Sequence, residues 1–228
     1  MSVTTPFTAA SLALGPSSPR PGTLNASTST LSGSTSKSKR SSIYDRSVYR
    51  KVTGAETSEA AYAFLFSEMV SYAQKRVKGV TDLERKLNEN GYRVGQRALE
   101  LVTIRAAAGQ HHRRETRVVN VLQFIQTQIW KALFNKPADD LQKSSENEDE
   151  YMIIDNDPLV SKYISVPKDM GEFTCASFMA GIVEAALDGS QFPARVTAHT
   201  VPLPQFPQRT VILVKLDPLV LEREGFLK

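Results

Sequence analysis

One cysteine, three histidines and one tryptophan are spread over 228 residues, and that scarcity limits the chemistry the chain can carry. Cys175 alone can form neither an intrachain disulfide nor a cysteine-based zinc site, so a reducing compartment is expected. Nor does a nucleophile elbow or a cysteine-protease motif surround it. With Ala176 and Ser177 following, it reads as a small core residue at a helix start. His111 and His112 sit together, but their neighbours are Gln110, Arg113 and Arg114, and two guanidiniums repel a cation. His199 falls near the end of a predicted strand and reads as structural. Gly91 and Gly95 have the spacing of neither the P-loop nor the dinucleotide fingerprint. Asp155, Asn156 and Asp157 begin like a calcium loop, but Pro158 and Leu159 follow where ligands should be. Those carboxylates are expected to cap the segment that starts at Pro158. The expectation is no catalytic residue, no cofactor and no metal.

Long apolar runs are also missing. The longest, Ala60 to Phe66, falls far below the ~20 residues of a membrane span, and the N-terminus lacks the charged start and apolar stretch of a secretory signal. A cytosolic protein is expected, reaching membranes only through partners or a tail. Charge is unevenly placed. Residues 1–50 hold six basic residues against Asp45, a net +5, while the remaining 22 basic and 23 acidic residues leave −1. A neutral body argues against a nucleic-acid-binding face, so the basic excess belongs to the tail. Residues 1–50 are rich in Ser, Thr, Pro and Gly, a composition unable to offset its own ordering entropy, and are expected to be a disordered tail. Residues 51–228 are expected to form one domain.

From about Thr57 the pattern turns helical. Residues 60–66 (AAYAFLF) are apolar on every side of two turns, so this helix wants two partners, one of them external. Tyr62, Phe64, Leu65, Phe66, Met69 and Tyr72 are its candidate interface residues; the alternative is a central core helix. Thr81 with Glu84 is a capping box that predicts a short second helix ending at Asn90-Gly91. A third runs from Tyr92 to about Ala107, with Gly95 suited to close approach of a neighbour. A fourth, from about Glu115 to Phe134, carries Val118, Leu122, Ile125, Ile129 and Leu133 along one stripe and is the expected central helix. β-type segments follow at Tyr151–Ile154, Tyr163–Val166, Ala194–Thr200 and Arg209–Leu216, with one helix, Phe173–Leu187, among them. Helices first and strands later predict an α+β fold, helices packed on a sheet of about four strands.

The stretch from Gly91 to Lys136, with GYRVGQRALE and RRETRVVNVLQFIQTQIWKALFNK, resembles the signature of the Bet-three-like family of the TRAPP (transport protein particle) tethering complex. The blocks YMIIDNDPL and FTCASFMAGIVEAAL fit that family's subunit-five branch. The resemblance covers roughly Ser58 to Pro218 and implies helices on a twisted antiparallel sheet. Gly91, Tyr92, Gly95, Arg97, Arg114, Glu115, Thr116 and Trp130 are then family-motif structural positions. It further implies a non-enzymatic scaffold subunit that pairs with a paralogous Bet-three-like subunit and joins a longin-like subunit. The assembled core would be a vesicle tether and an exchange factor for a Rab GTPase in ER-to-Golgi and Golgi traffic and in autophagy, acting peripherally at cis-Golgi and endoplasmic reticulum membranes. In one paralogue a cysteine four residues before the Arg carries a fatty acyl chain; here that position is Gln110, which has no thiol. The competing reading is a lipid- or acyl-chain-binding module of the same fold.

Overall fold

The computed structural model describes residues 57–107, 114–167, 170–171 and 173–226. The tail expected over residues 1–50, Gln110 and the pair His111 and His112 lie outside the described residues.

Helix α1 (Glu59–Gln74) begins where the Ser58 side chain accepts the Ala61 N–H at 3.1 Å. Phe66, Val70 and Ala73, spaced four and three apart, are its buried stripe. After a turn through Gly79 comes α2 (Val80–Ala107), an unbroken helix of 28 residues. This corrects the expectation of two helices separated at Asn90-Gly91. A glycine in a helix interior costs about 1 kcal/mol relative to alanine, a cost packing can override, and Gly91 is buried against another helix.

The next helix is also continuous but changes pitch. It comprises α3 (Val118–Phe124), a π turn (Ile125–Ile129) and α4 (Trp130–Phe134). It starts at Val118 instead of Glu115 and ends at Asn135, whose φ of 60° is the left-handed conformation common after a helix. Around the widened turn, the Thr127 hydroxyl donates to the Gln123 carbonyl at 2.7 Å. The Gln126 carbonyl accepts the Ala138 N–H at 3.0 Å. Ile125, Ile129 and Trp130 are all fully buried as a result.

Strands β1 (Asp140–Lys143) and β2 (Glu150–Asp155), the one-turn helix α5 (Leu159–Lys162), α6 (Ser177–Gly189), strands β3 (Ala194–Thr200) and β4 (Thr210–Leu216) and helix α7 (Pro218–Phe226) complete the described chain. The four strands form one antiparallel sheet in the order β1-β2-β4-β3, leaving β1 and β3 as edges. Two expectations change here. Tyr163–Val166 is not a strand: Tyr163 closes α5 and the chain then runs irregularly, with Tyr163 and Val166 exposed and so without a sheet face to cover. The missing strand is Asp140–Lys143, whose one apolar residue, Leu141, gave no alternation; a polar sequence suits a sheet edge. The most enclosed helix is α6, buried on nearly every side apart from Glu184, Asp188 and Gly189, whereas the 118–134 helix keeps a solvent face. Layered against α2 on one side and the sheet on the other, α6 is the centre of the α+β core, the place expected for residues 115–134.

Candidate functional site

Three of the family-motif residues, Gly91, Tyr92 and Gly95, lie at the crossing of α2 and α6. A Cβ added to Gly91 would strike the backbone of Phe178, and one added to Gly95 would lie 2.6 Å from the Ile182 carbonyl oxygen. From the other side, a Cβ on Gly181 would run into the Asn88 carbonyl. Spaced four apart, Gly91 and Gly95 share one face of α2, and with Gly181 they let two helix backbones touch. A row of polar pairs flanks the contact. Glu84 accepts the Thr174 N–H at 3.0 Å, the Asn88 amide donates to Glu184 at 3.2 Å, and the Tyr92 hydroxyl donates to Asp188 at 3.0 Å. Partners advance together along both chains, so the two helices run in the same direction.

Electrostatics fits this seam. The bond to Asp188 and then burial raise the Tyr92 hydroxyl above its ordinary range, keeping it a donor. Burial is the main cause that raises the Glu184 carboxyl; the Asn88 bond lowers it, the Asp188 charge raises it and Arg195 lowers it.

Other motif positions fix element ends. Arg114 donates to the Ser190 carbonyl at 2.9 Å, just past the end of α6. Glu115 accepts from Asn120 at 3.1 Å, Thr116 is exposed in the turn before α3, and Arg97 is exposed on α2. The Trp130 indole donates to Asp155 at 3.1 Å, and Lys136 reaches the same buried carboxylate at 2.8 Å. Asp155 therefore ties the central sheet to the 118–134 helix; it does not cap α5, where Pro158 stands at the N-cap without a side-chain bond.

The candidate interface residues on α1 divide by face. Phe64, Leu65 and Tyr72 are 77%, 73% and 55% exposed, while Phe66 is 4% exposed and edge-on to Phe178 in the core. Tyr62 and Met69 are partly buried and pack against that core. The Tyr62 ring stacks on Phe66 at 5.7 Å, and its buried hydroxyl has no hydrogen-bond partner among the described residues. Burial, then the nearby Cys175, raises that hydroxyl's pKa. Phe64, Glu68 and Tyr72 follow at intervals of four, so α1 turns one apolar stripe inward and a second, broken by Glu68, to solvent.

Cys175 is buried, and burial followed by the charge of Glu84 pushes its thiol up to about 12, so it stays protonated at neutral pH. His199 is exposed on β3, its ring Nε2 3.0 Å from the Thr197 hydroxyl. No group of three or more His, Cys, Asp or Glu that could hold a metal ion occurs among the described residues. No helix among them is long and apolar enough to cross a membrane. One arrangement gave no sequence signal: Glu224 on α7 accepts the Val118 N–H at 3.3 Å and pairs with Arg117 at 3.4 Å, holding the start of α3 across the molecule.

These features define an α+β domain built on a glycine-lined parallel helix contact over an open four-stranded antiparallel sheet, with an uncovered apolar stripe on its first described helix. The profile of the family described as Transport protein particle (TRAPP) component matches residues 62–217, and the chain belongs to that family. It is 49% identical over 172 residues to trafficking protein particle complex subunit 5 of Dictyostelium discoideum, spanning 75% of this chain and 90% of the relative. The human protein of the same name is 40% identical over 189 residues, 83% of this chain and 95% of the relative. Trafficking protein particle complex subunit 31 of Saccharomyces cerevisiae is 32% identical, over 81% of this chain and 84% of the relative. Among solved structures, a trafficking protein particle complex subunit 3 from Naegleria fowleri, covalently bound to palmitic acid, superposes with a TM-score of 0.56 at 16% identity, covering 70% of this chain and 95% of the other. That last likeness is one of fold.

Proposed function

We propose that the chain is a core scaffold subunit of a TRAPP vesicle-tethering complex, working through protein contacts and without chemistry of its own. The observation that carries the reading is the outward stripe of α1, where Phe64, Leu65 and Tyr72 stand in solvent on a helix whose other face is already buried. A stable pairwise contact buries about 800 Å² per partner, which one such helix with its neighbours can supply. A paralogous Bet-three-like subunit is the proposed occupant, with a longin-like subunit at the opposite end. The assembled core then serves as the exchange factor for a Rab GTPase in ER-to-Golgi and Golgi traffic and in autophagy, and this subunit supports the GTPase site. Its place is cytoplasmic, peripheral at cis-Golgi and endoplasmic reticulum membranes. The names of the relatives support membership of such a complex.

Co-expression with a tagged paralogue tests this. Phe64→Glu is expected to abolish co-purification while leaving the thermal midpoint of the isolated chain within a few degrees, because the side chain is already in water. Pairing that survives the substitution would remove α1 as the interface. The acyl-binding reading is weaker, since a groove of about 1400 Å³ among the described residues is lined by Glu84, Asn88, Glu184 and Arg195 as well as apolar groups. Native mass spectrometry of the purified chain separates the two, a bound acyl mass favouring the second.

A further inference from the structure

The outward stripe of α1 carries one negative charge at its centre. At 3.6 residues per turn, Phe64, Glu68, Tyr72 and Leu65 fall within an arc of about 100°, with Glu68 inside it. Along the helix axis Glu68 is the midpoint, about 6 Å from the level of Phe64 and about 6 Å from that of Tyr72. All four side chains are exposed. Whatever covers the three apolar groups therefore also covers the carboxylate, and taking an ionised group out of water is unfavourable unless an opposite charge or a donor replaces the water.

A second copy of this chain does not meet that requirement. Two identical helices related by a twofold axis lie either antiparallel or parallel. In the antiparallel case, covering Phe64, Leu65 and Tyr72 of both copies needs the axis near the midpoint of the stripe, so Phe64 meets Tyr72 of the other copy and Glu68 meets Glu68. In the parallel case each residue faces its own counterpart, and Glu68 again meets Glu68. Like charges set opposite one another across a contact are destabilising, the more so when desolvated. Sliding the helices removes the clash only by uncovering apolar surface. The cations at the end of α1 are Lys75 and Arg76, the latter with its guanidinium 3.8 Å from the centre of the Tyr72 ring. Bringing Arg76 opposite Glu68 in an antiparallel pair sets Leu65 against Gly79 and Phe64 against Val80, both beyond the end of α1 at Gln74. A self-pair can match its charges or cover its apolar stripe, but not both.

We propose that Glu68 sets the choice of partner at this face, disfavouring self-pairing and selecting a helix whose apolar side chains flank a lysine or arginine at the level of Glu68. The inference rests on α1 being the docking face, as proposed above, and adds the chemistry of its occupant. A cation at that level forms a charge-assisted hydrogen bond with the carboxylate where a second copy brings repulsion.

Sedimentation velocity of the full chain reads self-association, and a charge swap isolates its cause. The parent and Glu68→Lys are each expected to stay monomeric at micromolar concentration. Their equimolar mixture is expected to form a 1:1 dimer at least about tenfold tighter than either forms alone, and to lose it as salt rises. Glu68→Gln, which keeps the shape of the side chain, is expected to self-associate about tenfold more tightly than the parent. A dimeric parent, or a mixture that associates no better than its components, overturns the proposal. With the paralogous subunit, Glu68→Lys is expected to weaken co-purification at least about tenfold and Glu68→Gln by less. Pairing that is lost with Phe64→Glu but indifferent to Glu68→Lys would keep α1 as the docking face and overturn the charge selection alone. Pairing indifferent to both substitutions removes the face and the inference together.

Discussion

Gly91, Gly95 and Gly181 act by what they leave out. Replacing Gly91 by alanine sets a methyl group against the Phe178 backbone, which cannot swing aside as a flexible side chain would, so α2 and α6 must separate. Gly91→Ala is expected to cost about 2–4 kcal/mol in urea denaturation, whereas Gly79→Ala, with nothing within 4 Å of the added carbon, should change stability by no more than about 0.5 kcal/mol. Equal effects at the two sites would deny the close contact. Glu184 adds a dependence on pH. Burial holds its carboxyl above the usual range, so the folded state keeps the proton more tightly than the unfolded chain does. That contribution is fully present at low pH and is lost as pH rises from the ordinary glutamate range through the raised value. The melting temperature of Glu184→Gln minus that of the parent is accordingly expected to be more positive at pH 7 than at pH 4. Single residues were readable from sequence where residue type alone carries the signal, as with the missing side chain of Gly95 and the small, apolar Cys175. Asp155 was not, because the Trp130 and Lys136 it holds are 25 and 19 residues away and nothing in the intervening sequence marks the pairing.

At the level of elements, the ends of helices depend on distant neighbours. The 118–134 helix has Arg117 at its N-cap, a residue type whose side chain cannot accept the first-turn N–H groups, and Glu224, 106 residues after Val118, brings a carboxylate to that positive end. Glu224→Ala is expected to lower stability by about 1 kcal/mol, with Glu224→Gln between it and the parent; equilibrium urea unfolding measures both. Because the cap comes from α7, sequence reading placed the start at Glu115, where capping residue types lie. The strongly apolar elements, α1, the 118–134 helix, β3 and β4, announced themselves by periodicity. β1 and α7 did not: a polar edge strand and a short helix opened by Pro218 derive their stability from what they pack on. The same limit explains why α2 read as two helices, since turn chemistry at Asn90-Gly91 is local and the α6 backbone that overrides it is not.

The whole chain divides its charge sharply, with net +5 in residues 1–50 and −1 in the rest. Anionic vesicles are expected to bind the full chain weakly, at no more than about 1 kcal/mol per basic residue near the surface. Binding should fall as salt rises and vanish when residues 1–50 are removed; equal sedimentation of both forms would refute it. The α+β architecture was legible at this scale from the succession of helical and strand patterns, but the burial of α6 at the centre was not, because an apolar helix of 13 residues does not say how many layers cover it. The parallel contact of α2 and α6 also orders events in time. Its hydrogen-bonded pairs are 96 residues apart, so α2 leaves the ribosome with its glycine face uncovered and stays so until α6 follows. At synthesis rates of about 5–20 residues per second that interval is roughly 5–20 seconds, long compared with helix formation and hydrophobic collapse. During it the nascent chain exposes both stripes of α1 together with the uncovered face of α2, a window in which a chaperone, or a subunit already made, meets more apolar surface than the finished fold ever shows.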